Sequence, residues 1–344
     1  GDILINHDDK IHKYKYPFWL DFPIYINLPL LILFLMMVVF VFSKNGSNFL
    51  SIFFFNYLNI DLLSFRESIK LIDKISLVAL SSLFIGIMGT VPGHELSHRI
   101  NNKYDLFIGS WLLSLSWDCA FAIEHVYGHH KNVALPRDPA TARRGDNIYK
   151  FIINAIINEQ RDAWQIEKKR LKSKSLHVLG FNNKLIKGYM KSVSISILSY
   201  LVGGFAGLLI FLLCAFTAKA LLEVINFTEH YGLIRVEGEK VMPRHSWNSN
   251  SIMSSIYLYN VTRHSTHHEK AHLKYWELRP YVDAPTMPQG YLSMLYLAIF
   301  LPGIFKRMMV KKLIDWDKNY ATDDERKLSA IQNENSNMPL LLNH

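Results

Sequence analysis

Long apolar runs alternate with polar, basic stretches along the chain, and the runs fall into two length classes. Residues 26–43 ("INLPLLILFLMMVVFVFS") and 75–93 are each long enough to cross most of a hydrocarbon core of about 30 Å as a helix, so each predicts a membrane span. Residues 186–228 form a longer apolar block interrupted by Gly203 and Gly204, which predicts a tight hairpin of two spans, 186–203 and 205–228. Two other runs are too short. "FLSIFFFNYLNIDLL" (49–63) is broken by Asn56, Asn59 and Asp61, and "YLSMLYLAIFLPGIF" (291–305) contains Pro302, so both are expected at the membrane interface. The stretch 106–125 is apolar but holds Asp118, which would be costly against lipid, and it is expected not to cross. The pattern predicts an all-α integral membrane protein with about four transmembrane helices in one membrane-embedded domain over residues 1–320, followed by a polar, loose tail over 321–344.

Composition agrees with that class, since half of the 344 residues are hydrophobic and 13% are aromatic. The formal net charge of +9 accompanies no nucleic-acid-binding motif, and nucleic acid is excluded as a partner. The positive charge is instead organised by topology. Sixteen Lys and Arg residues lie between Arg99 and Lys191, which by the positive-inside rule places this segment in the cytoplasm; four spans then put both termini there as well, consistent with Lys10, Lys13 and Lys15. Cys119 and Cys214 stand far apart in apolar contexts and supply neither a disulfide framework nor four thiolates for an iron–sulfur or rubredoxin-type centre. Any electrons must therefore come from another protein. The first 25 residues show no secretory leader, and an opening on Gly1 is expected of a trimmed or partial chain.

The chemistry lies in the histidines. Nine of the fifteen fall into four groups: His94 and His98 in "HELSHR", His125, His129 and His130 in "EHVYGHH", His230 in "TEHYG", and His264, His267 and His268 in "RHSTHH". The spacings 94/98, 125/129 and 264/268 are i,i+4, and 264/267 is i,i+3, so each multi-histidine group can aim two imidazoles at a common point from one helical face. Nine imidazoles exceed the need of one tetrahedral zinc but suit two metals of coordination number four to five, which suggests iron in an oxygen-activating role. All four groups reach the cytoplasmic ends of the spans only if 106–125 does not cross. Glu95, Glu124, Glu229 and Asp138 accompany the groups and are expected to orient ligating imidazoles, with a carboxylate ligand or bridge between metals as the alternative. His7, His12, His177 and His344 are expected on the surface, and His245 and His272 either behind the ligands or on the surface. Phe84, Trp111, Trp117 and Phe121 are candidates to line an apolar substrate cavity, with core packing or lipid contact the plainer reading of each.

At these boxes the sequence resembles the membrane-bound alkane hydroxylases, integral-membrane non-haem di-iron monooxygenases with xylene-type hydroxylases as near relatives. Their boxes H-E-L-x-H-K/R, E-H-x-x-G-H-H, N-Y-x-E-H-Y-G and R-H-S-x-H-H stand here as "HELSHR", "EHVYGHH", "NFTEHYG" and "RHSTHH", and the match extends to "PRDPATARRGDNIYKF" (136–151), "RHSWNSN" (244–250) and "PTMPQGY" (285–291). The resemblance implies that the nine box histidines ligate two non-haem irons. It also implies insertion of one atom of O2 into a terminal C–H bond of an alkane or other apolar hydrocarbon, with electrons from NAD(P)H through a separate reductase and a rubredoxin or ferredoxin-type carrier. The location implied is a bacterial-type inner membrane, with the catalytic site on its cytoplasmic side. Phe227 stands where the third box usually has tyrosine and Ala271 where the fourth usually has proline; neither change removes a ligand. Family members usually carry six transmembrane helices, two of them upstream of the point where this chain begins.

Three other readings compete. A fatty-acyl desaturase or hydroxylase also uses a histidine-rich di-iron site, but its boxes more often read H-x-x-H-H. An intramembrane zinc peptidase would use His94 and His98 as ligands and Glu95 as general base, leaving seven clustered histidines unexplained. A divalent-metal transporter would place its ligands near the bilayer midplane, whereas these lie at helix ends.

Overall fold

The structure, a computed structural model, describes residues 7–342. Among them the chain is helical, with two isolated β-bridges, His7–Ser251 and Asn248–Thr286, and no strand. Three helices are long and apolar enough to cross a membrane: α1 (Phe18–Val41), α2 (Leu71–Ser97) and α3 (Lys184–His230). The chain partitions into two compact units. The first comprises the residues up to Tyr16, Ala120–Arg170 and the chain from Leu222 onward; the second comprises Pro17–Cys119 and Leu171–Leu221.

The second unit holds α1, α2 and α3 as far as Leu221. Apart from the buried Asp21 and Asn27, helix α1 is apolar on all sides, and it buries Leu31, Leu35 and Val39 while leaving Leu30 and Leu33 exposed. Phe18, Trp19 and Phe22 stand exposed at its N-terminal end in edge-to-face contact, the arrangement of an aromatic membrane anchor. Helix α3 carries both expected spans of the hairpin. At Gly204 the backbone takes φ 63°, open to glycine at little cost, and the chain folds back so that the Cβ position of Gly207 lies 3.0 Å from the Ser199 carbonyl.

Helix α2 loosens into a π turn over Ile85–Thr90, just ahead of the segment Val91–Ser97 that carries His94. Pro92 explains the disturbance, because its ring has no N–H to donate and crowds the carbonyl one turn back. Beyond His98 the chain turns into Lys103–Ser114, which packs backbone to backbone on the end of α2. A Cβ on Gly93 would lie 2.8 Å from Leu113 Cγ, and one on Gly109 2.8 Å from Leu96 Cβ, so only glycine at both positions permits this approach.

The stretch 106–125 is not one helix. The helix that enters it, Lys103–Ser114, is about 18 Å long, and the chain then turns through Trp117 at φ 55° before helix resumes at Phe121. Asp118 sits buried in that turn, 2.9 Å from the Lys219 ammonium. Phe49–Leu58 and Tyr291–Phe300 are likewise short helices, the second ending two residues before Pro302.

The tail differs from the expected loose segment. Thr322 caps a helix over Asp323–Asn335 whose Glu325, Ser329 and Asn333, four residues apart, form a buried stripe. The Arg144 guanidinium donates to both Asp317 carboxylate oxygens at 2.6 Å, to Asn333 at 2.8 Å and to Ser329 at 3.2 Å. A search for apolar periodicity misses this helix because its packed stripe is polar. His344, expected on the surface, lies outside the described residues.

Candidate metal centre

Seven of the nine box histidines lie in the first unit, on three short segments. Residues 121–132 run as a helix with a π turn at His125–His129, in which the His130 amide reaches back five residues to the His125 carbonyl. His230 closes α3, and His264, His267 and His268 ride on the helix His264–Glu269.

These seven sort into two clusters. His129, His230, His264 and His268 are buried with their donor atoms within 4.8 Å of one another; His264 Nε2 lies 3.1 Å from His230 Nε2 and 3.0 Å from His268 Nε2. His125, His130 and His267 form the other, with His130 Nε2 3.1 Å from both His125 Nε2 and His267 Nε2. The expected i,i+4 pairing of His125 with His129 is therefore not what forms. A π turn aligns residues five apart, so His125 meets His130 and His129 turns to the other cluster. The i,i+4 pair 264/268 stays together while His267 joins His125 and His130.

Hydrogen bonding alone does not account for these contacts. One imidazole nitrogen carries either a proton or a single in-plane lone pair, yet His264 Nε2 and His130 Nε2 each face two other Nε2 atoms. Nitrogens sharing one metal at about 2.1 Å sit roughly 3–3.4 Å apart, which is the spacing here. His129 Nε2 is buried with no hydrogen-bond partner among the described residues. The donor set fits a metal ion in each cluster.

The opposite ring nitrogens are fixed as ligands require. His129 Nδ1 lies 2.9 Å from Asp138 Oδ2, which also accepts from the Thr141 hydroxyl at 2.5 Å. His230 Nδ1 donates to the His245 carbonyl at 3.1 Å and His264 Nδ1 to the Val261 carbonyl at 3.3 Å. Each bond puts the proton on Nδ1 and frees Nε2 as a donor to metal. Burial pushes the Asp138 carboxyl up, but the adjacent His129 and the Thr141 hydrogen bond hold it below the ordinary carboxylate range. Burial and the crowding of His130, His264, His129 and His230 hold His268 well below its usual value, so its ring stays neutral.

The four flanking carboxylates have different surroundings. Asp138 stands behind His129. Glu229 reaches the other side of a ligand, with Oε2 3.1 Å from His264 Nε2 and a buried Oε1 that has no hydrogen-bond partner among the described residues. Glu124 is buried with its carboxylate against Gly128. In the second unit the His94 and His98 Nε2 atoms lie 3.2 Å apart, while Glu95 is tied to Arg99 at 2.8 Å and the same guanidinium holds Asp21 and Asp105. That ion pair occupies the carboxylate a zinc peptidase would need free as its general base. Phe121 stacks on His125 with ring centroids 4.4 Å apart, whereas Phe84 packs on Phe34, Trp111 lies beside Lys191 and Trp117 is half-buried in its turn. His7, His12, His177 and His272 are exposed. His245 is fully buried, and its part in holding His230 gave no signal in the box spacing.

The family model for fatty acid desaturases matches residues 75–298. The chain belongs to the fatty acid desaturase family. Within this family it is a homologue of the alkane 1-monooxygenases. It is 37% identical to alkane 1-monooxygenase 1 of Pseudomonas aeruginosa over 255 residues, covering 73% of this chain and 65% of the relative. Against alkane 1-monooxygenase of Acinetobacter baylyi it is 34% identical over 262 residues, covering 75% and 64%. The xylene/toluene monooxygenase hydroxylase component XylM of Pseudomonas putida is 30% identical over 341 residues, covering 98% of this chain and 86% of the relative. The chain thus spans just under two thirds of the length of the alkane 1-monooxygenases it matches.

Proposed function

We propose that the protein is a membrane-bound non-haem di-iron monooxygenase that hydroxylates a terminal C–H bond of an alkane or other apolar hydrocarbon. The observation that carries this reading is the sorting of seven imidazoles, six buried and that of His130 half-buried, into two clusters whose Nε2 atoms converge at metal-sharing distances. In this reading the nine box histidines, His94 and His98 included, supply the ligands of two irons, and Glu229 is the carboxylate turned toward the four-histidine site. Bound there, the irons would reduce O2 with two electrons, placing one oxygen atom in the substrate and releasing the other as water.

The chain's own residues hold and orient. Asp138 and the carbonyls of His245 and Val261 keep the proton of each partner imidazole on Nδ1, and the burial of the four-histidine site excludes bulk water from it. The apolar helices suit a substrate that partitions into lipid. Electrons come from a separate rubredoxin or ferredoxin-type protein and an NAD(P)H-dependent reductase, since Cys119 and Cys214 are buried and single. The location is the bacterial-type inner membrane, with the histidines at its cytoplasmic face. Incubating the purified protein with octane, O2 and such an electron chain, and identifying the products by gas chromatography, tests the reading. 1-Octanol carrying 18O from labelled O2 supports it, and a product that is desaturated or lacks the label overturns it.

A further inference from the structure

The helix Asp323–Asn335 begins more than ninety residues after His230, yet the two are linked by an unbroken set of hydrogen bonds. Glu325 is fully buried, and its Oε1 lies 2.7 Å from His245 Nε2. His245 Nδ1 accepts the Met242 backbone N–H at 3.0 Å, which fixes the tautomer: Nδ1 carries no proton, and Nε2–H donates to Glu325. The His245 backbone is held too, because its N–H donates to the Met242 carbonyl at 3.0 Å within the turn Pro243–His245. Its carbonyl then accepts from His230 Nδ1 at 3.1 Å. The adjoining residues brace the same segment. Arg244 donates to Glu325, Trp316 donates to the Arg244 carbonyl at 2.7 Å, and the Trp247 amide donates to the Glu229 carbonyl at 2.8 Å.

We propose that Glu325 is a positioning residue for the four-histidine metal site, acting through the His245 ring and carbonyl on the ligand His230. The inference rests on the di-iron reading above. Imidazole ligation depends on where the ring points and on which nitrogen holds the proton, and partners that fix both typically change metal affinity by about 10–100-fold when removed. Glu325 is held in turn by its own helix: the Thr322 amide donates to Oε2 at 2.8 Å and the Thr322 hydroxyl caps the helix start. The C-terminal helix thereby becomes part of the metal centre's support, not a cover laid over it.

The same helix supplies its own control. Asn333 anchors it to Arg144, well away from His245, so Asn333→Ala loosens the helix without touching the chain of bonds to His230. Iron per chain is measured by elemental analysis on the detergent-purified full chain after a timed chelator challenge, with Mössbauer spectroscopy to tell the two sites apart. Glu325→Ala is expected to lose iron from one site about 10-fold or more faster than wild type while the other site keeps its signal. Glu325→Gln, which keeps an acceptor for His245 Nε2–H, is expected to hold near-wild-type iron, and Asn333→Ala likewise. His245→Ala keeps the carbonyl but frees it, and is expected to match Glu325→Ala; combining the two is expected to add nothing. Equal loss in Glu325→Ala and Asn333→Ala, or two irons retained at the wild-type rate in Glu325→Ala and His245→Ala, overturns the proposal. A wild type that binds no iron fails the di-iron reading itself, a different result from two irons that ignore Glu325.

Discussion

His129 Nδ1 lies 2.9 Å from Asp138 Oδ2, both side chains sealed from solvent, while the opposite nitrogen of the same ring has no hydrogen-bond partner among the described residues. A buried imidazole tethered at one nitrogen and unpartnered at the other is a ligand held ready for a metal. Asp138→Asn keeps an acceptor but removes the charge that raises the basicity of the ring, so metal retention is expected to fall by about 10-fold. Asp138→Ala is expected to fall further, toward about 100-fold, as read by residual iron after dialysis against chelator.

The glycines at the end of α2 make a different prediction, about packing. At Gly109 an added Cβ would meet Leu96 Cβ, an atom fixed to backbone, at 2.8 Å, and overpacking of this kind costs about 1–3 kcal/mol against a gain of up to about 1 from better helix propensity. Gly109→Ala is therefore expected to lower the thermal midpoint in detergent. Gly86→Ala, with no heavy atom within 4 Å of its Cβ position, is expected to leave it unchanged or raise it.

Arg144 is the hub of the first unit's C-terminal packing, its side chain fully buried and paired with Asp317 through two hydrogen bonds. Removing one partner of a buried pair leaves the other charge uncompensated, at a cost of about 3 kcal/mol or more. Asp317→Ala is expected to destabilise the protein by that order in chemical denaturation, whereas Arg137→Ala, which breaks an exposed pair with Glu237, is expected to change stability by less than about 1 kcal/mol.

Glu325 gives the protein an acid limit. Burial pushes its carboxyl up, but hydrogen bonds from His245, Arg244 and the Thr322 amide outweigh that and hold it down at about 2, from an ordinary value of 4.5. A carboxyl with a depressed folded value contributes stability that is fully present above the unfolded value and is lost as pH falls from about 4.5 toward 2. Thermal midpoints taken between pH 7 and 3 are expected to decline below about pH 4.5, and Glu325→Gln is expected to flatten that part of the decline.

Much of this organisation was legible from the residues. Apolar run length located α1, α2 and the hairpin at Gly204, and the charge of Asp118 marked 106–125 as no simple span, because burial in lipid constrains composition over many consecutive residues. Motif spacing found the seven histidines that cluster in the first unit. It did not apportion them, since the separation of His125 from His129 depends on a π turn, a backbone choice that periodicity does not encode. Nor did it foresee the tail helix, the His245–Glu325 contact or the Arg144 hub. The last two are polar interactions between residues 80 or more apart and leave no local pattern, whereas the tail helix carried a local signal that apolar periodicity does not weigh, the capping box of Thr322 and Glu325.

The most direct test of the account is the metal content of wild type, His264→Ala and His130→Ala, by elemental analysis and Mössbauer spectroscopy on detergent-purified protein. The two substitutions fall in different clusters. Two irons per chain are expected in wild type, with each variant losing the signal of a different site. A single zinc per chain, indifferent to both substitutions, would contradict it.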